Sequence, residues 1–421
     1  MQSLIRSLSF LTLAGAAVLL HAAPLPQASP EEVSMSSERL GRLDAAMQKA
    51  VDSGELPGAV VLIARDGQLV YAKSFGWQDR DKKIPMTNDS IFRLYSMTKP
   101  IVSVAAMMLV EEGRLGLQEP VSKYIPEFKE MKVGVESTDA DGKSSLNLVD
   151  AKRQITVQDL LRHTSGLTYG VLGKPNAVKK MYNDAGIFSQ KWLLADFARA
   201  LAKLPLQFQP GTTWEYGHSS DVLGRVVEVA SGQTLDLFLA KRIFEPLKMV
   251  DTAFQVPAEK QDRIAQPMPD VYTGKTPELI DVTQPATFFA GGHGLVSTAG
   301  DYLRFAQMLA NGGELEGARI LGPRTVEYMS SDHVNSQIDK GPTYLPGPGH
   351  GFGLGFATRL DRGQSEWPGS PGDYYWAGYA GTYFWVDPEE DLVPVLMTQE
   401  PLRRQFYRVQ LRNLVYQAIL K

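Results

Sequence analysis

The 421-residue chain contains no cysteine. That absence excludes disulfides, thiolate metal sites and a cysteine nucleophile. A dominant charge of either sign is also missing: 43 Lys and Arg stand against 47 Asp and Glu, for a formal net charge of -4. No basic patch argues for nucleic acid, and no charge run argues for an interaction tail. There is no His-Glu-x-x-His, so a zinc hydrolase has no support. A Gly-x-Ser-x-Gly elbow is absent too, because Gly217-His218-Ser219-Ser220-Asp221 lacks the final glycine. Beyond the N-terminus, no stretch approaches the roughly 18 uninterrupted apolar residues of a spanning helix, so no stable membrane span is expected.

The first residues have the layout of an export signal. Arg6 is the positive start, Leu8 to Leu20 the apolar centre, and Leu20-His21-Ala22 a small-residue cleavage site. Cutting after Ala22 removes residues 1–22 and takes the net charge from -4 to -5. The expected location is therefore exported, periplasmic or secreted, and residues 23–421 remain as a single domain.

Leu40, Leu43, Met47 and Val51 recur at helical spacing, and Gly54 closes the helix they define. Two β-rich runs, 59–64 and 68–72, flank Asp66-Gly67 and predict a hairpin. The polar stretch from Met131 to Arg153 is rich in Ser, Asp and Gly and reads as an excursion loop. It and the Gly/Pro loop from Lys340 to His350 are placed at the border of the cleft. Helical periodicity covers Val157 to Arg162, Gln190 to Ala202, Ser220 to Ala230 and Leu235 to Leu247. Strand character returns at 351–357, 381–386 and 392–397, and Gln405 to Leu420 is amphipathic. Strands at both ends with helices between them predict an α/β fold. Its antiparallel sheet comes from the N- and C-terminal segments and is flanked by helices, at about 30–92 and 290–421. A mostly α-helical lobe, at about 93–289, is inserted between them. A cleft between sheet and lobe is the expected place for a site.

Ser96-Met97-Thr98-Lys99 is the stretch most suggestive of chemistry. Pro100 is tolerated only in the opening turn of a helix, and the apolar run from Ile101 to Val110 demands a buried one. The helix therefore begins at or just before Ser96, where free N–H groups and the positive dipole end suit a developing oxyanion. Lys99 falls one turn on, within reach of Ser96 Oγ. A serine cap beside a solvated lysine is the plain alternative. A serine nucleophile needs a base. His163, His293, His333 and His350 lie in loops and turns, and none is diagnostic. Tyr216, between Pro210-Gly211 and a helix, is a second route: a tyrosine whose proton the nearby ammonium loosens.

With Tyr216-Gly217-His218, the Ser96 stretch resembles the first two motifs of the serine β-lactamase-like superfamily, specifically class C β-lactamases and family VIII carboxylesterases. Leu160 to Leu167, Gly291 to Thr298 and Trp376 to Pro388 match as well, so the resemblance runs from about Glu32 to the C-terminus. It implies a β-lactamase/transpeptidase-like fold and catalysis without metal or organic cofactor. Ser96 would be acylated, Lys99 would hold Ser96 and Tyr216 in the reactive proton arrangement, and Tyr216 would shuttle the proton. The backbone N–H groups of Ser96 and Tyr379 would form the oxyanion hole.

The departures bear on substrate. Trp376-Ala377-Gly378 stands where class C β-lactamases carry Lys-Thr-Gly, close to the Trp-Gly-Gly of family VIII esterases. Trp376, Ala377 and Gly378 are thus expected to bind a neutral, apolar ester rather than a lactam. His218 stands where lactamases carry asparagine, and both packing behind the loop and touching substrate are open to it. Arg403 and Arg404 would supply a carboxylate-binding charge or lie solvated. The expected function is an exported carboxylesterase acting on a small-molecule ester. A class C-like β-lactamase or penicillin-binding peptidase acting on a lactam, or a non-catalytic binding protein, are the alternatives. Oligomeric state is left open.

Overall fold

A computed structural model describes residues 24–139, 141, 144–187 and 189–421. The proposed export signal, residues 1–22, lies outside the described residues. Ser36 caps the first helix, α1 (Ser37–Asp52), by accepting from Arg39 N at 3.2 Å. Its inward stripe is Leu40, Leu43, Met47 and Ala50. The Asp66-Gly67 turn takes φ of 52° and 71°, the left-handed pair that a tight hairpin needs. It joins β1 (Gly58–Arg65) to β2 (Gln68–Asp79), and a short β3 (Ile84–Pro85) follows.

The remaining strands of this sheet come from the far end of the chain: β4 (His350–Phe352), β5 (Ala357–Arg359), β6 (Tyr374–Ala377), β7 (Tyr383–Val386) and β8 (Leu392–Thr398). The sheet is antiparallel in the order β4-β5-β6-β7-β8-β1-β2-β3. β1 pairs with β8 from Ala59↔Thr398 to Arg65↔Leu392, which joins the two termini of the chain. Every residue of β1 is buried, as a strand covered on both faces must be. Helix α4 (Ala299–Ala310) packs on β1, β7 and β8, while α1 packs on β2 and on the last helix, α5 (Arg404–Tyr416). In the intervening segment, α2 (Thr98–Glu111) packs on α3 (Ser219–Ser231). The expected α/β architecture is present.

Several local expectations are corrected. The polar stretch from Met131 to Arg153 is mostly a hairpin, Lys132–Thr138 paired with Ser144–Asp150. It is polar because it reaches into solvent; Val133 is its buried anchor, and Gly134 N donates to Leu206 O at 2.9 Å. None of its described residues lines the cavity beside Ser96, whereas Leu345 of the Lys340–His350 loop does. The glycine-rich run 351–357 is not one strand but spans the turn between β4 and β5, because Gly355 takes φ of 103° where a Cβ would lie 2.4 Å from Ser103 Oγ. The helix expected from Gln190 occupies only Leu194–Leu201, and the one from Leu235 widens after Leu239 into a π turn over Ala240–Phe244.

Candidate active site

Ser96 sits in a single 3₁₀ turn, Tyr95–Met97, that feeds α2. The chain in front of it is strained: Tyr95 takes φ of 47°, a conformation bulky residues rarely adopt. Tertiary bonds hold the turn. Leu94 N donates to Leu295 O at 2.9 Å, Leu295 N to Thr98 Oγ1 at 3.1 Å, and Tyr302 OH to Met97 O at 3.0 Å. The Gly291 to Thr298 motif therefore laces onto the Ser96 turn.

Lys99 is buried beneath Ser96, at 1% exposure. Its Nζ donates to Ser96 Oγ at 3.2 Å, to Tyr169 OH at 3.0 Å and to Gly292 O at 2.7 Å. Three acceptors match the three protons of an ammonium. The same Nζ lies 4.7 Å from the centre of the Tyr216 ring. Lys99 thus meets Tyr216 through its ring, while its hydrogen bonds go to Ser96, Tyr169 and Gly292.

Tyr216 is carried by a loop tied to the His163 to Leu167 motif. Gly211 N donates to Thr164 O at 2.7 Å, Glu215 N to His163 O at 2.9 Å, and Thr168 Oγ1 to Glu215 Oε1 at 2.6 Å. Gly217 is required here, since a Cβ would lie 2.3 Å from Leu167 O. Tyr216 OH accepts from Trp376 Nε1 at 3.3 Å, so the tryptophan of the third motif is aimed at the phenol oxygen. The His163 ring packs against Tyr216, Trp214 and Phe352, and burial, helped by the Lys99 charge, pushes its pKa well below the usual value. Its backbone rather than its ring ties the loop.

His218 is buried behind this loop. Its Nδ1 is 2.9 Å from Asp221 Oδ2 and its ring stands edge-on to Tyr169; it is not part of the cavity wall. Burial works to raise the Asp221 carboxyl, but the His218 hydrogen bond and nearby positive charge outweigh it and hold the pKa at about 2. Asp221 Oδ1 accepts from Gly292 N at 2.8 Å, the residue whose carbonyl receives Lys99.

Ser96, Tyr216, Trp376, Ala377, Gly378 and Tyr379 line one cavity of about 390 Å³. Trp367, Tyr375, Tyr383, Leu172, Leu345 and Leu402 add an apolar wall, and Arg404 and Arg408 add positive charge. Arg403 is drawn away by Asp270, at 2.8 Å. Among the described residues no cluster of three or more His, Asp or Glu could hold a metal ion.

Tyr169, Asp221, Gly292 and Arg408 were not singled out by sequence reasoning. Each had a signal: Tyr169 follows the His163 to Leu167 motif, Asp221 lies five residues after Tyr216, Gly292 lies inside a matched motif, and Arg408 is one helical turn beyond Arg404.

The fold that carries this site is shared with known proteins. The beta-lactamase family model matches residues 43–417. Esterase EstB of Burkholderia gladioli is 33% identical over 344 residues, covering 77% of this chain and 81% of its own. Lovastatin esterase of Penicillium rubens is 34% identical over 309 residues, covering 70% and 73%. The solved structure of EstCE1, described as a hydrolase with promiscuous acyltransferase activity, superposes with a TM-score of 0.77 at 29% identity, covering 90% of this chain and 99% of its own. The chain belongs to the beta-lactamase family and is a serine hydrolase built on that fold.

Proposed function

We propose that the protein is a carboxylesterase that works through an acyl-enzyme on Ser96. The observation that carries this reading is the meeting of Ser96, Lys99, Tyr216 and Trp376 at the wall of one aromatic cavity. Ser96 Oγ attacks the ester carbonyl while its proton passes to Tyr216. The Lys99 ammonium lies beside both groups, and the Trp376 N–H points at the phenol oxygen that receives the proton. The oxyanion forms against the backbone N–H groups of Ser96 and Tyr379, each worth on the order of 2.7–4 kcal/mol in the barrier. Tyr216 returns the proton to the leaving alkoxide, then activates water to release the acid. Trp376, Ala377 and Gly378 hold the acyl or alcohol part against the apolar wall. His218 acts from behind, through Tyr169 and Asp221.

The names of EstB and lovastatin esterase support ester cleavage. Steady-state hydrolysis of short and long p-nitrophenyl esters tests it: Ser96→Ala is expected to lose at least about 1000-fold in kcat, and intact turnover would falsify the assignment. A slow ester should leave a matching mass increase on Ser96. A second reading, β-lactam hydrolysis, has the Arg404 charge beside the cavity in its favour. Comparing kcat/KM on a chromogenic cephalosporin with the esters decides between them. Residues 1–22 serve as the export signal in this proposal, so the mature protein should begin at Ala23 on N-terminal sequencing.

A further inference from the structure

The Gly378 carbonyl and the Tyr379 N–H belong to one peptide unit, at the end of β6, beside Ser96 in the cavity wall. A trans peptide holds its C=O and N–H in opposite directions. Whatever fixes the carbonyl therefore fixes the aim of the N–H. Two donors hold this carbonyl: Gly381 N, at 3.2 Å, and the guanidinium of Arg408 through Nη2. The first is local to the turn. The second arrives from α5, which the buried Tyr407, Leu411 and Val415 anchor to the rest of the molecule.

Besides this carbonyl, the Arg408 guanidinium meets the Tyr383 ring, 6.0 Å from its centre. It has no ion-pair partner among the described residues, and its Nε is buried without an acceptor. Burial, and after it the Arg404 charge, push the guanidinium down to about 10, so it remains a cation at neutral pH. A cation on a carbonyl oxygen draws electron density along the peptide and makes the N–H at its other end a stronger donor. The neighbouring geometry leaves the peptide little freedom: Gly378 N donates to Thr382 O at 2.9 Å, and a Cβ on Gly378 would lie 2.2 Å from Leu94 O.

We propose that Arg408 is a positioning residue of the oxyanion site, which binds the Gly378 carbonyl and thereby orients and polarises the Tyr379 N–H. This rests on the reading of Ser96 as nucleophile and of the Tyr379 N–H as an oxyanion donor. The guanidinium keeps all its protons throughout; its contribution is a hydrogen bond that strengthens as negative charge develops on the far side of the peptide.

The test uses the full chain with a neutral p-nitrophenyl ester. Losing a whole oxyanion donor costs on the order of 100- to 1000-fold in kcat; losing its alignment in Arg408→Gln is expected to lower kcat by about tenfold or more with KM changed less than about twofold. Arg408→Lys, which keeps a cation near the carbonyl, should recover part of the loss. In the acyl-enzyme, the infrared ester-carbonyl stretch should move to higher wavenumber in Arg408→Gln, a shift that a folding defect does not produce. Arg408→Met keeps the packed stem and is read in the same way should the glutamine variant not fold. Unchanged kcat and an unchanged stretch would overturn the proposal. So would a loss confined to KM for anionic esters, since that assigns Arg408 to a substrate carboxylate. Activity surviving in Ser96→Ala would instead remove the nucleophile reading, and this proposal with it.

Discussion

Lys99 has as many acceptors as protons, and that balance is what keeps a buried ammonium tolerable. Tyr169→Phe removes one acceptor without changing the packing of the ring. One ammonium proton is then left without the acceptor that Tyr169 supplied. The expected outcome is a fall in kcat of about tenfold, equal to ~1.4 kcal/mol, with little change in KM. An unchanged kcat would show that Ser96 and Gly292 suffice to place Lys99. Ser96 and Lys99 were legible as a pair because three residues of helix bring them to one face. Tyr169, some 70 residues on, was not legible, since only the lacing of its loop to the Tyr216 loop brings it to Nζ.

At the level of elements, the site is a junction between the end of β6 and the turn that begins α2. Thr382 Oγ1 donates to Leu94 O at 3.1 Å, and Gly378 passes close beneath the same carbonyl. Gly378→Ala places a Cβ 2.2 Å from Leu94 O and 2.2 Å from Thr382 Oγ1, and the first of these is backbone that cannot turn aside. The strand end must then lift from the Ser96 turn. Ester hydrolysis is expected to fall by about 100-fold or more, with an overpacking loss of roughly 1–3 kcal/mol in denaturant unfolding. Normal activity in this variant would separate the strand end from the chemistry. The β1–β2 hairpin and β8 were readable because Asp66-Gly67 dictates a turn and apolar runs dictate buried strands. The Lys132–Asp150 hairpin was misread for a physical reason: most of the ribbon reaches into solvent and only its base is anchored, by Val133, so its composition looks like a loop.

For the molecule as a whole, Asp301 sets a stability slope away from the site. It lies in the first turn of α4, where Oδ2 accepts from Asp251 N at 2.7 Å and Thr252 Oγ1 at 2.9 Å while Oδ1 is buried without a partner. Burial pushes its pKa up from 3.8 to about 7. Between those values the folded protein keeps a proton that the unfolded chain has lost, so stability falls as pH rises from about 4 to about 7. Asp301→Asn stays neutral throughout and should flatten that slope. The wild-type deficit relative to the variant should grow by a few kcal/mol across the window. Chemical denaturation at pH 4, 5.5 and 7 measures it, and parallel curves would show that Asp301 titrates normally.

The sequence by itself determined the motifs, the mixture of early and late strands, and the spacing of Ser96 and Lys99, because these follow from turn chemistry, periodicity and one turn of helix. It also carried the replacement of a lysine by Trp376, and with it the lean towards esters. Only the tertiary structure decided what those residues face: that Lys99 divides its protons among Ser96, Tyr169 and Gly292, that Trp376 aims its N–H at Tyr216, that His218 lies behind the loop, and that Arg408 reaches the Gly378 carbonyl. Apart from the Lys99–Ser96 contact, these join segments from 30 to 193 residues apart. No local pattern encodes them; they exist only once burial has stacked the elements and each buried polar group has found its partner.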